Sequence, residues 1–339
     1  MTTTSVTGWT RRVAPGLGLT VGVAVAATAL ARLLPPTLGP VLLAVVLGLV
    51  IGNVRPLAPT VAPGIGFASK QVLRLGVVLL GARLTFGDVA AIGAPAVGVV
   101  VVTMTAAFLA VAVASRAAGI SPRLATLIGV GTAVCGNSAI VATSPIIDAD
   151  EAEISFAVAT ITIFGTAALL LFPLMATVVD LPDRVFGFWA GLSINDTSQV
   201  VAAAAAYSEE ALDVATVVKL VRNAFMAPLI LLIAWWTARG TTDRAGGSVR
   251  SSVMKAFPLF LLGFLALAAL RSVGVLGEEL AATFGTAATL CITIAIAGVG
   301  LATRVTELRR VGLRPFAVGL GAALTLTVVG FGFASALGA

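Results

Sequence analysis

The chain has 339 residues, of which 59% are hydrophobic and 11% charged, with a formal net charge of +6, no histidine and two cysteines. Its mean hydropathy is +1.09, whereas a soluble globular chain is about 45–50% apolar and about 25% charged, so a soluble domain is excluded. The basic residues punctuate apolar stretches and form no nucleic-acid footprint, missing histidine removes the commonest general base and zinc ligand, and Cys135 and Cys291 lie in apolar runs that provide neither a zinc quartet nor a disulfide framework.

A crossing helix needs about 20 mainly apolar residues to span about 30 Å of hydrocarbon. Eleven segments approach that requirement: 15–34, 39–54, 71–87, 91–115, 123–145, 154–179, 185–206, 214–238, 254–272, 280–302 and 313–337. The expected fold is therefore an all-α polytopic membrane protein of about eleven transmembrane helices. A cytoplasmic tail over 1–14 precedes one transmembrane domain over 15–339. Arg11 and Arg12 before the first segment admit a signal-peptide reading, but neither a small-residue cleavage site nor an exported domain follows. Lys70 and Arg74 open the third segment as inner-gate groups or interfacial anchors.

With the N-terminus in the cytoplasm, most of the 21 basic residues fall in inner segments. Only Arg32, Arg83 and Arg271 fall outside, while Arg74, Lys219 and Arg222 lie within segments. That asymmetry predicts an N-inside, C-outside topology in the cell membrane. Trp9, Trp189, Trp235 and Trp236 then sit at inner ends, where an interfacial belt would place them, and the inner linker over 239–253 is the longest polar one. The acidic groups Asp148, Asp150, Glu151, Glu153, Glu209, Glu210 and Asp213 fall in outer loops, as solvated helix-start charges or as a vestibule that selects ions by charge.

Two segments differ from the Ala, Val, Leu, Ile and Gly of the rest. The fifth reads GVGTAVCGNSAIVATSP from Gly129 to Pro145, with Thr132, Asn137 and Ser138 among glycines. The seventh carries Asn195, Asp196, Thr197, Ser198 and Gln199 in succession. Five consecutive polar side chains would point all around a continuous helix, which is costly in hydrocarbon. The expected solution is a broken helix lining a polar cavity near the midplane, a pattern that points to a transporter binding site. For the fifth segment, interhelical hydrogen bonding is an equal explanation. In the eighth, Lys219 and Arg222 lie one turn apart, followed by Asn223. Lys219 either snorkels outward or lines the site, and Asp196, the only acid well inside a segment, is the natural ion-pair partner for Arg222 or Lys219.

Internal likeness gives two patterns. Residues 137–142 align with 196–201, but those segments run in the same direction in an eleven-span topology, so no inverted repeat can relate them. At an offset of 219, Gly81, Asp88, Val89, Ile92 and Gly93 match Gly300, Glu307, Leu308, Val311 and Gly312, on oppositely directed segments.

The motifs LRLGVVLLGARLT (73–85), GTAVCGNSAIVATSPII (131–147), GLSINDTSQVVAAAAAYS (191–208) and VVKLVRNAFMAPLILL (217–232) resemble the YeiH-type sulfate-exporter family over residues 15–335. That resemblance implies a group that includes cation–proton antiporters and bile-acid-type symporters, with inverted repeats and crossed, broken helices. Members often carry a histidine just before the acid of the third motif; Asn195 stands there, so any proton coupling rests on Asp196. The expected activity is secondary transport of a small anion, sulfate or a related sulfur oxyanion, without an enzyme's catalytic set and without a nucleotide-binding signature. Its substrate-binding residues are Thr132, Asn137, Ser138, Asn195, Thr197, Ser198, Gln199 and Arg222, with Asp196 and Lys219 for ion coupling or a charge pair. No cofactor or metal is expected beyond a coupling Na+ or H+. The partners are the anion and the lipid bilayer, with no nucleic acid and a homodimer left open. The alternatives are a sodium- or proton-coupled cation antiporter using Asp196 and, more remotely, an intramembrane enzyme with a Ser/Lys dyad.

Overall fold

The computed structural model describes residues 3–34, 39–54, 56–238, 259–303 and 312–338. The first four apolar segments are α1 (Thr3–Ala31), α2 (Pro40–Val54), a third that runs through α3 (Ala62–Phe67), a π-helical turn (Ala68–Val72) and α4 (Leu73–Leu80), and α5 (Phe86–Ala118). There follow α6 (Pro122–Ala133), α7 (Asn137–Thr143), α8 (Glu151–Val178), α9 (Asp183–Ser193), α10 (Thr197–Tyr207), α11 (Glu209–Ala224) and α12 (Met226–Ala238). The chain ends with α13 (Leu259–Ser272), α14 (Glu278–Ala302) and α15 (Leu313–Gly338). Among the described residues, seven helices are long and apolar enough to cross a membrane, and two shorter apolar ones lie at 40–54 and 260–272. The protein is a polytopic helical membrane protein. α1 begins at Thr3, so the expected tail continues the first helix.

The chain forms two compact units, one of Met1–Asp88, Val201–Glu209 and Phe260–Val305, the other of Val89–Val200, Glu210–Leu259 and Thr306–Ala339. In the first, Val23, Ala24 and Ala27 of α1 pack with Leu43, Ala44, Ile65, Ala297 and Leu301. Gly48 lies so close to the α14 backbone at Ala297 and Gly300 that a Cβ would collide with it, the small-residue contact by which apolar helices approach in lipid. Arg83 pairs with Glu209 at 2.9 Å within this unit.

In the second unit the breaks fall where the polar runs predict them, but the helices around them do not cross. α6 and α7 fold back on each other: the Ile140 side chain packs against Gly131, close enough to crowd a Cβ there. The two ends of this segment also meet, Ser121 Oγ donating to Glu153 Oε1 at 2.5 Å and Arg123 lying 3.8 Å from Asp148. Asp150 caps α8 there in a reciprocal capping box with Glu153. α9 and α11 run parallel, Gly187 against Ala211 and Val214, and Gly191 against Ala215 and Val218. Because α11 starts two residues after α10 ends, α10 must return to the level where α9 began. The fifth and seventh segments are thus re-entrant hairpins, and the expectation that they span is corrected.

This changes the loops between them. The run Asp148–Glu153 shares an end with Ser121 and Arg123, and Arg184 shares the opposite end with Glu210 and Asp213, contrary to the arrangement read from loop charges. The two hairpins enter from opposite ends of α8, so the likeness of 137–142 to 196–201 fits an inverted repeat of a hairpin followed by a long helix. Trp189, expected at an interface, is buried and stacked on Phe172 with ring centroids 4.1 Å apart. Arg55, Arg239, Arg244, Arg250, Lys255, Arg304, Arg309 and Arg310, the linker over 239–253, and the repeat partners Glu307, Leu308 and Val311 lie outside the described residues.

Candidate functional site

The two hairpin tips meet beside the middle of α8, all within the second unit. The first turns through Val134, Cys135 and Gly136, where Gly136 has φ +67° and a Cβ would approach Asp196 Oδ2 to 3.3 Å. Glycine meets both demands, a left-handed backbone and a close neighbour. The second tip turns through Ile194, Asn195 and Asp196. Asp196 Oδ1 accepts from the Ser198 backbone N–H at 2.8 Å and from Ser198 Oγ, a side-chain cap on α10.

A helix ending inside a membrane leaves its last carbonyls without partners. Here α11 supplies the donors. Lys219 Nζ donates to Val134 O at 2.8 Å, Ile194 O at 3.0 Å and Asn195 O. Arg222 donates from Nε to Ala133 O at 2.7 Å, from Nη1 to Leu192 O and Ile194 O at 2.9 and 3.1 Å, and from Nη2 to Thr132 O. Both side chains are 0% exposed. Two cations one turn apart therefore fasten the C-terminal ends of α6 and α9 to each other, complementing the negative poles of both half-helices. Lys219 does not snorkel. No ion pair joins Asp196 to Lys219 or Arg222 among the described residues; the partner of the carboxylate is Ser198.

The remaining expected residues line the same junction. Asn137 Nδ2 donates to Thr162 Oγ1 at 3.3 Å and Gln199 Nε2 to Thr166 Oγ1 at 3.2 Å, so two hydroxyls one turn apart on α8 hold one amide from each tip. Gly165, between them, leaves room for the Gln199 side chain, which a Cβ would overlap. Asn223 Nδ2 donates to Thr197 Oγ1 at 3.2 Å. Thr132, Asn195, Ser198 and Gln199 are buried, Asn137, Asp196 and Thr197 half-buried, and Ser138 exposed on α7. Thr132 Oγ1, Asn137 Oδ1, Asn195 Oδ1, Gln199 Oε1 and Asn223 Oδ1 are buried without a hydrogen-bond partner.

Sequence reasoning placed the polar residues at one locus but missed Thr162, Gly165 and Thr166. Their signal was available as threonines four apart on one face of a mainly apolar helix. It also assigned Arg222 to a ligand, whereas its hydrogen bonds among the described residues go to backbone carbonyls.

A family model described as Conserved hypothetical protein 698 matches residues 15–319. The chain is 34% identical over 277 residues to a UPF0324 membrane protein of Corynebacterium glutamicum, covering 82% of this chain and 79% of that one. It is 37% identical over 274 residues to the UPF0324 membrane protein TauZ of Paracoccus pantotrophus, covering 79% of each. A UPF0324 membrane protein of Bacillus cereus is 33% identical over 275 residues, covering 81% of this chain and 77% of that one. No solved structure matches.

Proposed function

We propose that this chain, which belongs to the Conserved hypothetical protein 698 family of membrane proteins, is a secondary-active transporter carrying a small anion across the cell membrane by alternating access. The cargo in this reading is sulfate or a related sulfur oxyanion, exported from the cytoplasm, with the N-terminus inside and the C-terminus outside. The observation that supports it is the charge balance at the hairpin tips: two wholly buried cations, Lys219 and Arg222, against the one carboxylate of Asp196. In a low-dielectric interior that excess favours an anion nearby. Lys219 and Arg222 act mainly through their field, because all three Lys219 donors and four of the five Arg222 donors already serve carbonyls. Direct contact falls to the accessible groups on the other side of each break, Asn137, Ser138 and Thr197. Reconstituted in liposomes, the wild type moves labelled sulfate, and Asn137→Ala with Ser138→Ala stops that flux while the protein stays folded. Flux equal to wild type removes these residues from the path.

A second reading, cation antiport centred on Asp196, has one specific observation in its favour. Four of the five unpartnered buried oxygens at the junction, those of Asn137, Asn195, Gln199 and Asn223, are amide carbonyls, which accept hydrogen bonds or bind cations and cannot donate to an anion. A sodium or proton gradient that drives flux with no anion present selects this reading; dependence on the anion selects the first.

A further inference from the structure

Lys219 is a four-carbon stem carrying an ammonium with three N–H donors and no acceptor. All three donors are met by three backbone carbonyls, Val134 O from the first tip and Ile194 O and Asn195 O from the second. The ammonium is wholly buried, so no bulk water shares that shell. A small cluster of carbonyl oxygens that replaces a hydration shell is how proteins hold monovalent cations inside a membrane. The neighbouring carbonyls Thr132 O, Ala133 O and Leu192 O are taken by Arg222, which closes the cluster on its other side.

We infer that the two hairpin tips together form a monovalent-cation cage which the chain fills with its own Lys219 ammonium. The tips are held together by a tethered cation, and the free chain needs none from solution to do it. Lys219 is a positioning residue for the junction. Removing the side chain beyond Cβ empties the cage without changing its three oxygens, so a small solution cation that fits the space restores the missing contacts. Replacing it by methionine fills the same space with an uncharged chain and leaves nowhere for a cation to enter. The inference concerns what holds the tips together and stands whatever cargo the protein carries.

The test uses the purified full-length protein in detergent and reads thermal unfolding in choline, sodium, ammonium and methylammonium chlorides at equal ionic strength. The wild type melts at the same temperature in choline, ammonium and methylammonium. Lys219→Ala melts lower in choline and recovers in ammonium or sodium by about 5 °C, saturably, the size of shift expected when a folded state binds a ligand well above its dissociation constant. Lys219→Met is lowered and does not recover. A variant that folds only when ammonium or sodium is supplied has the same meaning as recovery. The inference is overturned by a saturable ammonium shift in the wild type, by recovery of Lys219→Met, or by a Lys219→Ala protein that stays unstable or unfolded in every salt; a sodium shift common to the wild type and both variants belongs to the cation reading of Asp196 and not to the cage. Recovery of melting temperature without sulfate flux in any protein keeps the cage and rejects the anion reading.

Discussion

Arg222 separates two roles that predict opposite outcomes. If the guanidinium fastens the hairpin tips, replacing it harms the empty protein; if it waits for an anion, replacing it relieves an uncompensated buried charge and leaves the empty protein as stable or more so. Arg222→Met keeps the bulk of the stem and removes donors that reach Thr132, Ala133, Leu192 and Ile194 carbonyls. An unsatisfied buried carbonyl costs about 1–3 kcal/mol; Ile194 O keeps its bond from Lys219, and partial relaxation of the other three leaves a loss near the about 3–5 kcal/mol found on breaking a buried charged contact. At about 2–4 °C per kcal/mol for larger domains, the melting temperature falls by about 6–20 °C. Arg222→Lys keeps the charge but loses the planar fork, so it reaches fewer of the four carbonyls and falls by about half as much. Tryptophan fluorescence during heating reports the change directly, since Trp189 is buried in the same unit. A shift of less than about 2 °C for Arg222→Met refutes the fastening role, because it exceeds no more than a surface substitution.

Three further outcomes follow from the junction. Gly136→Ala forces a side chain into a positive-φ backbone and against Asp196, lowering stability by about 1–3 kcal/mol and reducing flux; an unchanged melting curve contradicts the tip geometry. Gly165→Ala pushes out the Gln199 side chain at an overpacking cost of about 1–3 kcal/mol, and Gln199→Ala in the same protein relieves most of it in a double-mutant cycle. In a background with Cys135 and Cys291 replaced by serine, Arg123→Cys and Asp150→Cys react with a membrane-impermeant maleimide from the same side, and Arg184→Cys reacts from the other. Labelling of positions 123 and 150 from opposite sides refutes the re-entrant hairpin.

How far the sequence carries this fold depends on which physical signal each feature leaves. Bilayer-length apolar runs are legible because hydrocarbon thickness sets their length. The two breaks are legible because Gly136 and the Asn195–Gln199 run cannot sit in a continuous helix in lipid without cost. The return of the chain after each break leaves no such signal. Residues 122–143 are as apolar in composition as a helix that crosses, and the difference lies in contacts such as Ile140 on Gly131 and Ser121 with Glu153. Loop charge misleads there for the same reason: counting one crossing too many in each hairpin put the acids of 148–153 and Arg184 on the wrong ends. Lys219 and Arg222 were legible as buried cations in want of partners, but their partners are main-chain carbonyls, which every sequence has and none displays.

Correcting the topology also makes the internal likeness intelligible. Asn137 and Asp196 stand at corresponding places, each just past a break and each followed by a small hydroxyl residue. With both hairpins crossing in one direction, that correspondence could not belong to an inverted repeat. With the first entering from the start of α8 and the second from its end, it can. The same arrangement explains why one helix, α11, serves both tips: opposed hairpins bring the carbonyl ends of α6 and α9 to a single depth. A pair of cations three residues apart then reaches all of them. The symmetry is broken by charge at one position, Asn137 against Asp196, and that difference makes the second tip the acidic one. The second carboxylate oxygen of Asp196 faces Gly136 of the opposite tip, so the charge that sets the two halves apart lies where they meet.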